Sequence, residues 1–240
     1  MPVAEIFQRT LKLENDSDIA TGILYVDPNT DSQYIITAKH FVNNHEDAFV
    51  YSEETPYPYQ KILVHHDVSS SPYEVECITY LAQDTADVAV LQLRRDYFKK
   101  ENILPLSFNG SFELAEDAYF CGFPHHGKYQ TNAKGVYDAP VPFIKKTIIS
   151  AADVGDQRQN LLHLDGYNHP GFSGGPLLVN AHGSNAVGSN EYRVIGIVSH
   201  YVAEDDEVNI DLKSGIFKAY HISHAFKIID ASKKHKIVVV

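Results

Sequence analysis

Ser173 lies in the run His169-Pro170-Gly171-Phe172-Ser173-Gly174-Gly175-Pro176-Leu177-Leu178-Val179, a serine among small residues just ahead of an apolar stretch. Glycines on either side let the backbone bend sharply and leave amide hydrogens uncovered. A serine hydroxyl becomes a nucleophile only when a base takes its proton and donors await the oxyanion. The N–H groups of Gly171 and Ser173 could converge on one oxygen as those donors. The base candidate is His40, at the end of the apolar run Tyr34-Ile35-Ile36-Thr37-Ala38-Lys39-His40. The acid candidate is Asp87, which opens Val88-Ala89-Val90-Leu91 and is favoured over Asp84 because that apolar stretch follows it directly. A carboxylate shielded from water at such a rim holds an imidazole in one tautomer and stabilises the imidazolium. Base, acid and nucleophile follow in that order, 47 and 86 residues apart.

The elements that must carry these groups read as strands. Runs rich in β-branched and aromatic residues recur at 19–26, 33–37, 48–52, 59–65, 74–81 and 88–93, separated by turn clusters such as Asp27-Pro28-Asn29-Thr30-Asp31. The pattern loosens between 94 and 116, which reads as a crossing between two halves. Strands resume at 118–122, 147–151, 161–164, 175–179, 192–200 and 216–222. Residues 2–12 fit a short amphipathic helix or a packed arm, and 224–235 carries Phe226, Ile229 and Ala231 near helical spacing. Many short strands with one late helix predict an all-β protein, barrels or a sandwich. Gly171-Phe172-Ser173-Gly174-Gly175 also fits a nucleophile elbow, but that elbow needs a helix straight after the serine. Pro176 and an apolar strand follow instead, so the α/β-hydrolase reading fails.

Composition bounds the partners. At 240 residues the chain holds one large domain or two small ones, and 15 Tyr with 12 Phe favour β structure. A net charge of −11 argues against nucleic acid or an anionic membrane and suits a basic peptide better. Two cysteines, Cys77 and Cys121, and a start without a basic segment leading into an apolar one predict a reducing, cytoplasmic setting. The histidine pairs His65-His66, His125-His126 and His221-x-x-His224 lack cysteine or acidic residues at ligand spacing. They are expected to be solvated loop residues, and no metal is expected.

Three motifs together resemble those of the trypsin-like, chymotrypsin-fold serine proteases, in style the bacterial high-temperature-requirement type. They are Thr37-Ala38-Lys39-His40, Asp87-Val88-Ala89-Val90-Leu91 and Pro170-Gly171-Phe172-Ser173-Gly174-Gly175-Pro176-Leu177. Weaker similarities lie at Gly196-Ile197-Val198-Ser199 and Ser214-Gly215-Ile216-Phe217. The resemblance implies two antiparallel six-stranded β-barrels with a C-terminal helix and the cleft between the barrels. Residues 1–105 would form the half carrying His40 and Asp87, and 106–240 the half carrying Ser173 and the helix. It implies peptide-bond hydrolysis through an acyl-enzyme, a protein or peptide substrate and no cofactor. Ser173 would attack, His40 transfer protons, Asp87 orient His40, and the amides of Gly171 and Ser173 hold the oxyanion. Tyr167 would lie near the floor of the specificity pocket, with Ser199, His200, Tyr201 and Gly215 on its walls. No aspartate stands at the floor, so cleavage after Lys or Arg is not expected.

The departures matter too. Lys39 replaces a small residue, and Phe41 replaces a cysteine frequent in secreted members. Phe172 replaces the aspartate that pairs with a freed N-terminus in zymogen-activated members, so the oxyanion turn must be ordered in another way. No PDZ-like second domain is read after residue 240, so a regulatory module, whether partner or fused domain, is expected to be either missing or outside this sequence. The rival to an enzyme is a protease-fold module that binds peptides without cutting them.

Overall fold

The computed structural model describes residues 4–15, 18–43, 60–65, 73–82, 86–124, 141–153, 160–181, 191–203 and 213–234. The chain opens with α1 (Ala4–Arg9), followed by β1 (Thr10–Glu14), β2 (Ile19–Val26), β3 (Gln33–Thr37), α2 (Lys39–Asn43), β4 (Gln60–His65), β5 (Tyr73–Leu81) and β6 (Ala89–Leu93). After a single 3-10 turn come β7 (Ser107–Phe108), β8 (Asp117–Gly122), β9 (Phe143–Asp153), β10 (Leu161–Asp165), β11 (Pro176–Asn180), β12 (Tyr192–Ala203), β13 (Lys213–His221) and α3 (Ser223–Lys234). Strands β1-β2-β3-β6-β5-β4 close a six-stranded antiparallel barrel. A second six-stranded barrel, β11-β8-β9-β10-β13-β12, is closed by the β11–β12 pairing, with β7 added in parallel to β12. The all-β expectation resolves to two barrels and a C-terminal helix.

Three apolar clusters explain why so many strands are apolar on both faces. One fills the first barrel, with Leu11, Leu13, Leu24, Ile35, Cys77 and Leu91. Another fills the second, with Phe120, Leu164, Phe172, Leu177, Ile195 and Phe217. The third is the seam, where Ile23, Tyr34, Ile36 and Val90 meet Cys121, Leu178, Val194 and Ile197. Side chains alternate across a strand, so β3 sends Ile35 into its barrel and Tyr34 and Ile36 into the seam. Every residue of β3 is therefore buried. The helix α3 joins the seam through Ala225 and Ile229, and its Phe226 meets Tyr25 edge-on at 5.4 Å.

Several expectations need correction. The described part of the expected helix or arm, residues 4–12, is two elements: α1 ends at Arg9, and Leu11 and Leu13 of β1 then enter the barrel at a two-residue period. The strand at 147–151 is the middle of the longer β9. His65, His221 and His224 are not solvated loop residues. His65 is on β4, 3.0 Å from Glu14; His221 ends β13; His224 is buried in α3 against Tyr220. The expected strand at 48–52, and His66, His125, His126 and Asp84, lie outside the described residues. Among the described residues, no helix is long and apolar enough to cross a membrane.

Candidate active site

His40 sits where β3 has ended and the short α2 begins, which turns it out of the barrel wall. Asp87 lies two residues before β6, and β3 pairs with β6 through Thr37 and Ala89. That ladder fixes the two groups side by side. The Asp87 carboxylate receives the His40 backbone N–H at Oδ1 (2.8 Å) and faces His40 Nδ1 with Oδ2 at 2.7 Å. Ser199, fully buried on β12 of the other barrel, donates its hydroxyl to the same Oδ2 at 2.5 Å. A carboxylate accepting these hydrogen bonds fixes the proton of His40 on Nδ1, leaving Nε2 as an acceptor. Burial by itself would lower the His40 pKa. The hydrogen bond to Asp87, the charge of Asp87 and that of Asp18 outweigh it and raise the pKa above its ordinary 6.5.

The Ser173 hydroxyl lies across the seam from this pair and donates to the carbonyl of Ser199 at 3.2 Å. Asn168, buried beside it, donates Nδ2 to the same carbonyl at 2.9 Å. The structure therefore gathers His40, Asp87, Ser199, Ser173 and Asn168 into one polar cluster. Within it, the Ser173 hydroxyl is turned to Ser199 instead of the imidazole. The tight turn is closed by Phe172 N–H donating to His169 O (3.2 Å) and Gly175 N–H to Phe172 O (2.9 Å). Gly171 has φ +96° and Gly174 φ +84°, where a side chain would be strained. A Cβ at Gly174 would also come within 2.0 Å of Thr21 O, so the turn is pressed against the first barrel. Among the described residues, the amides of Gly171 and Ser173 donate to no protein acceptor, which leaves both for a ligand.

Phe172 is buried, edge-on to Phe120 with ring centres 5.3 Å apart. The Lys145 ammonium sits 5.9 Å from the Phe172 ring centre, 5.5 Å from that of Phe120, and donates to Tyr167 O. Lys39 turns away from His40 and donates to Ala82 O at 2.8 Å.

Of the residues expected around the specificity pocket, Tyr167 and Gly215 lie close together. Tyr167 is 57% exposed, and Gly166 N–H donates to Gly215 O at 2.7 Å. Gly215 has φ +74°, and the space where its Cβ would be reaches the Tyr167 hydroxyl at 3.9 Å. Ser199, expected on a pocket wall, has its hydroxyl on Asp87. His200 and Tyr201 continue β12, and their side chains lie outside the described residues. Sequence reasoning missed Asn168 and Thr21, because a lone buried Asn or Thr carries no pattern. Ser199, already singled out, could have been paired with Asp87 only through knowledge of how the two barrels dock.

Two closed β-barrels with a carboxylate–imidazole pair on one and a glycine-flanked serine on the other define a chymotrypsin-like class of protein. The sequence matches the trypsin-like peptidase domain over residues 20–188, more than half of the chain, and the chain belongs to that family. Direct comparison with curated proteins finds no match. Among solved structures, the chain is similar to the inactive form of the Rv3671c protease, at 16% identity and a TM-score of 0.56, covering 95% of this chain and 91% of that one. It is also similar to a serine-to-alanine mutant of Rv3671c from M. tuberculosis H37Rv, again an inactive form, at 14% identity and a TM-score of 0.57, covering 99% and 92%. At such identities the likeness concerns the fold. The family makes this a protease-type chain, with protein as its class of substrate.

Proposed function

We propose that the protein is a serine endopeptidase that cleaves peptide bonds through an acyl-enzyme. Ser173 Oγ attacks the scissile carbonyl while His40 Nε2 takes its proton. The amides of Gly171 and Ser173 receive the oxyanion. His40 then delivers the proton to the leaving amine, and the same groups act in reverse when water attacks the ester. The observation that carries this reading is the Asp87 carboxylate gripping both the backbone and the ring of His40, at 2.8 and 2.7 Å. On this mechanism the Ser173 hydroxyl turns from the Ser199 carbonyl to His40 Nε2 by rotation about its Cα–Cβ bond. In this reading 1–105 supplies base and acid, and 106–240 supplies the nucleophile. Under the same reading the specificity pocket is assigned to Tyr167, Ser199, His200, Tyr201 and Gly215, and the protein is placed in style with the bacterial high-temperature-requirement type. A cytoplasmic setting belongs to the same reading, supported by Cys77 and Cys121 lying buried in separate clusters with no disulfide between them. A regulatory partner or fused domain is compatible with it.

The test is a fluorophosphonate probe, which labels only an activated serine. Labelling of the wild type but not of Ser173→Ala is the expected result. The orientation of the Ser173 hydroxyl toward Ser199 favours a second reading, a peptide-binding module that does not cut. Peptide binding without labelling would establish that reading instead.

A further inference from the structure

Phe172 cannot form an ion pair, so something else must hold the turn that carries Ser173. Thr21, on β2 of the first barrel, is fully buried at the point where that turn crosses the seam. Its hydroxyl accepts the Phe123 N–H at 3.1 Å, and its own proton goes to the Gly171 carbonyl at 2.6 Å. Its backbone N–H donates to the Ser173 carbonyl at 2.9 Å, and its carbonyl accepts the Thr37 hydroxyl at 2.7 Å. One residue thus grips both carbonyls that bracket Phe172. These carbonyls belong to the Gly171–Phe172 and Ser173–Gly174 peptide planes, which flank the plane carrying the Ser173 N–H on both sides and the plane carrying the Gly171 N–H on one, so holding them restricts the torsions that aim both amides.

We infer that the Thr21 hydroxyl is a positioning residue for the oxyanion turn, supplied by the opposite barrel. It touches neither substrate nor reacting atoms; it acts through Gly171. The inference rests on the serine-nucleophile reading for its effect on rate, and on geometry alone for its effect on the turn. It also means that the amides are aligned only while the barrels are docked.

The test compares Thr21→Val, which keeps the shape and removes the hydroxyl, with Thr21→Ser, which keeps the hydroxyl. Steady-state kinetics on a fluorogenic peptide and amide hydrogen exchange over residues 169–175 are the two readouts. Loss of a directly contacting oxyanion donor costs about 100- to 1000-fold in kcat, so an indirect support should cost about 10- to 100-fold. KM should stay within about twofold, since ground-state binding is untouched. Exchange at the turn should quicken at least about tenfold in Thr21→Val, and Thr21→Ser should restore both readouts. If Thr21→Val does not fold, Thr21→Cys, a weaker donor of similar shape, takes its place. A folded Thr21→Val or Thr21→Cys with wild-type kcat and wild-type exchange would overturn the inference. A wild type that fails to label with fluorophosphonate would sink the enzyme reading instead, while the exchange comparison would still judge Thr21.

Discussion

His40 meets two carboxylates on different terms. Asp87 is bonded to it, whereas Asp18 acts through its charge. A general base must be neutral to work, so kcat/KM should rise with pH along a limb lying above the ordinary imidazole value of 6.5. Asp18→Asn should move that limb to lower pH with little change at the plateau, which a pH–rate profile would show. Asp87→Asn leaves the wrong tautomer at His40 and should cost about four powers of ten in kcat while melting near the wild-type temperature. The same raised pKa carries a stability sign. His40 stabilises the fold below 6.5, and that contribution is lost as pH rises through its folded pKa. His221 has the opposite sign. Burial lowers its pKa, more than the hydrogen bond to Gly110 O (2.7 Å) raises it. Its contribution is present above 6.5 and disappears on acidification, so His221→Gln should flatten the fall in melting temperature below that pH.

Strands were the legible part of this chain, because β-branched and aromatic runs broken by turn clusters leave few other readings. Strand β1 escaped because Ile6, Leu11 and Leu13 suit a helical arm as well as a helix followed by a strand. The five-residue α2 is too short to display a period, yet it is what presents His40. The serine turn was legible as chemistry but not as packing. Phe172 could be seen to lack a charge, whereas its place against Phe120 and Lys145 depends on β8 and β9, far away in sequence. That packing makes a prediction at the level of the turn. Phe172→Ala empties a fully enclosed site and should destabilise the protein by about 3–5 kcal/mol, measured by urea unfolding. If the loss were below about 1 kcal/mol, the ring would be no anchor.

The two barrels are also fastened by α3. Its Lys233 ammonium lies 2.5 Å from Asp27 Oδ2, and the Asp27 side chain is 1% exposed at the end of β2. Lys233→Met would strand a carboxylate with no cation, an expected loss of about 2–3 kcal/mol because the lysine itself is partly in water. Adding Asp27→Asn should recover much of that loss, and a double-mutant cycle on unfolding midpoints checks it. The two thiols turn this architecture into a built-in gauge. Cys121 lies in the layer where the halves meet, and Cys77 lies inside the first half alone, its pKa pushed up to about 12 by burial. A maleimide added under native conditions would tag residue 121 whenever the halves part and residue 77 only when the first half itself comes undone, so the ratio of the two adducts reads hinge opening apart from unravelling.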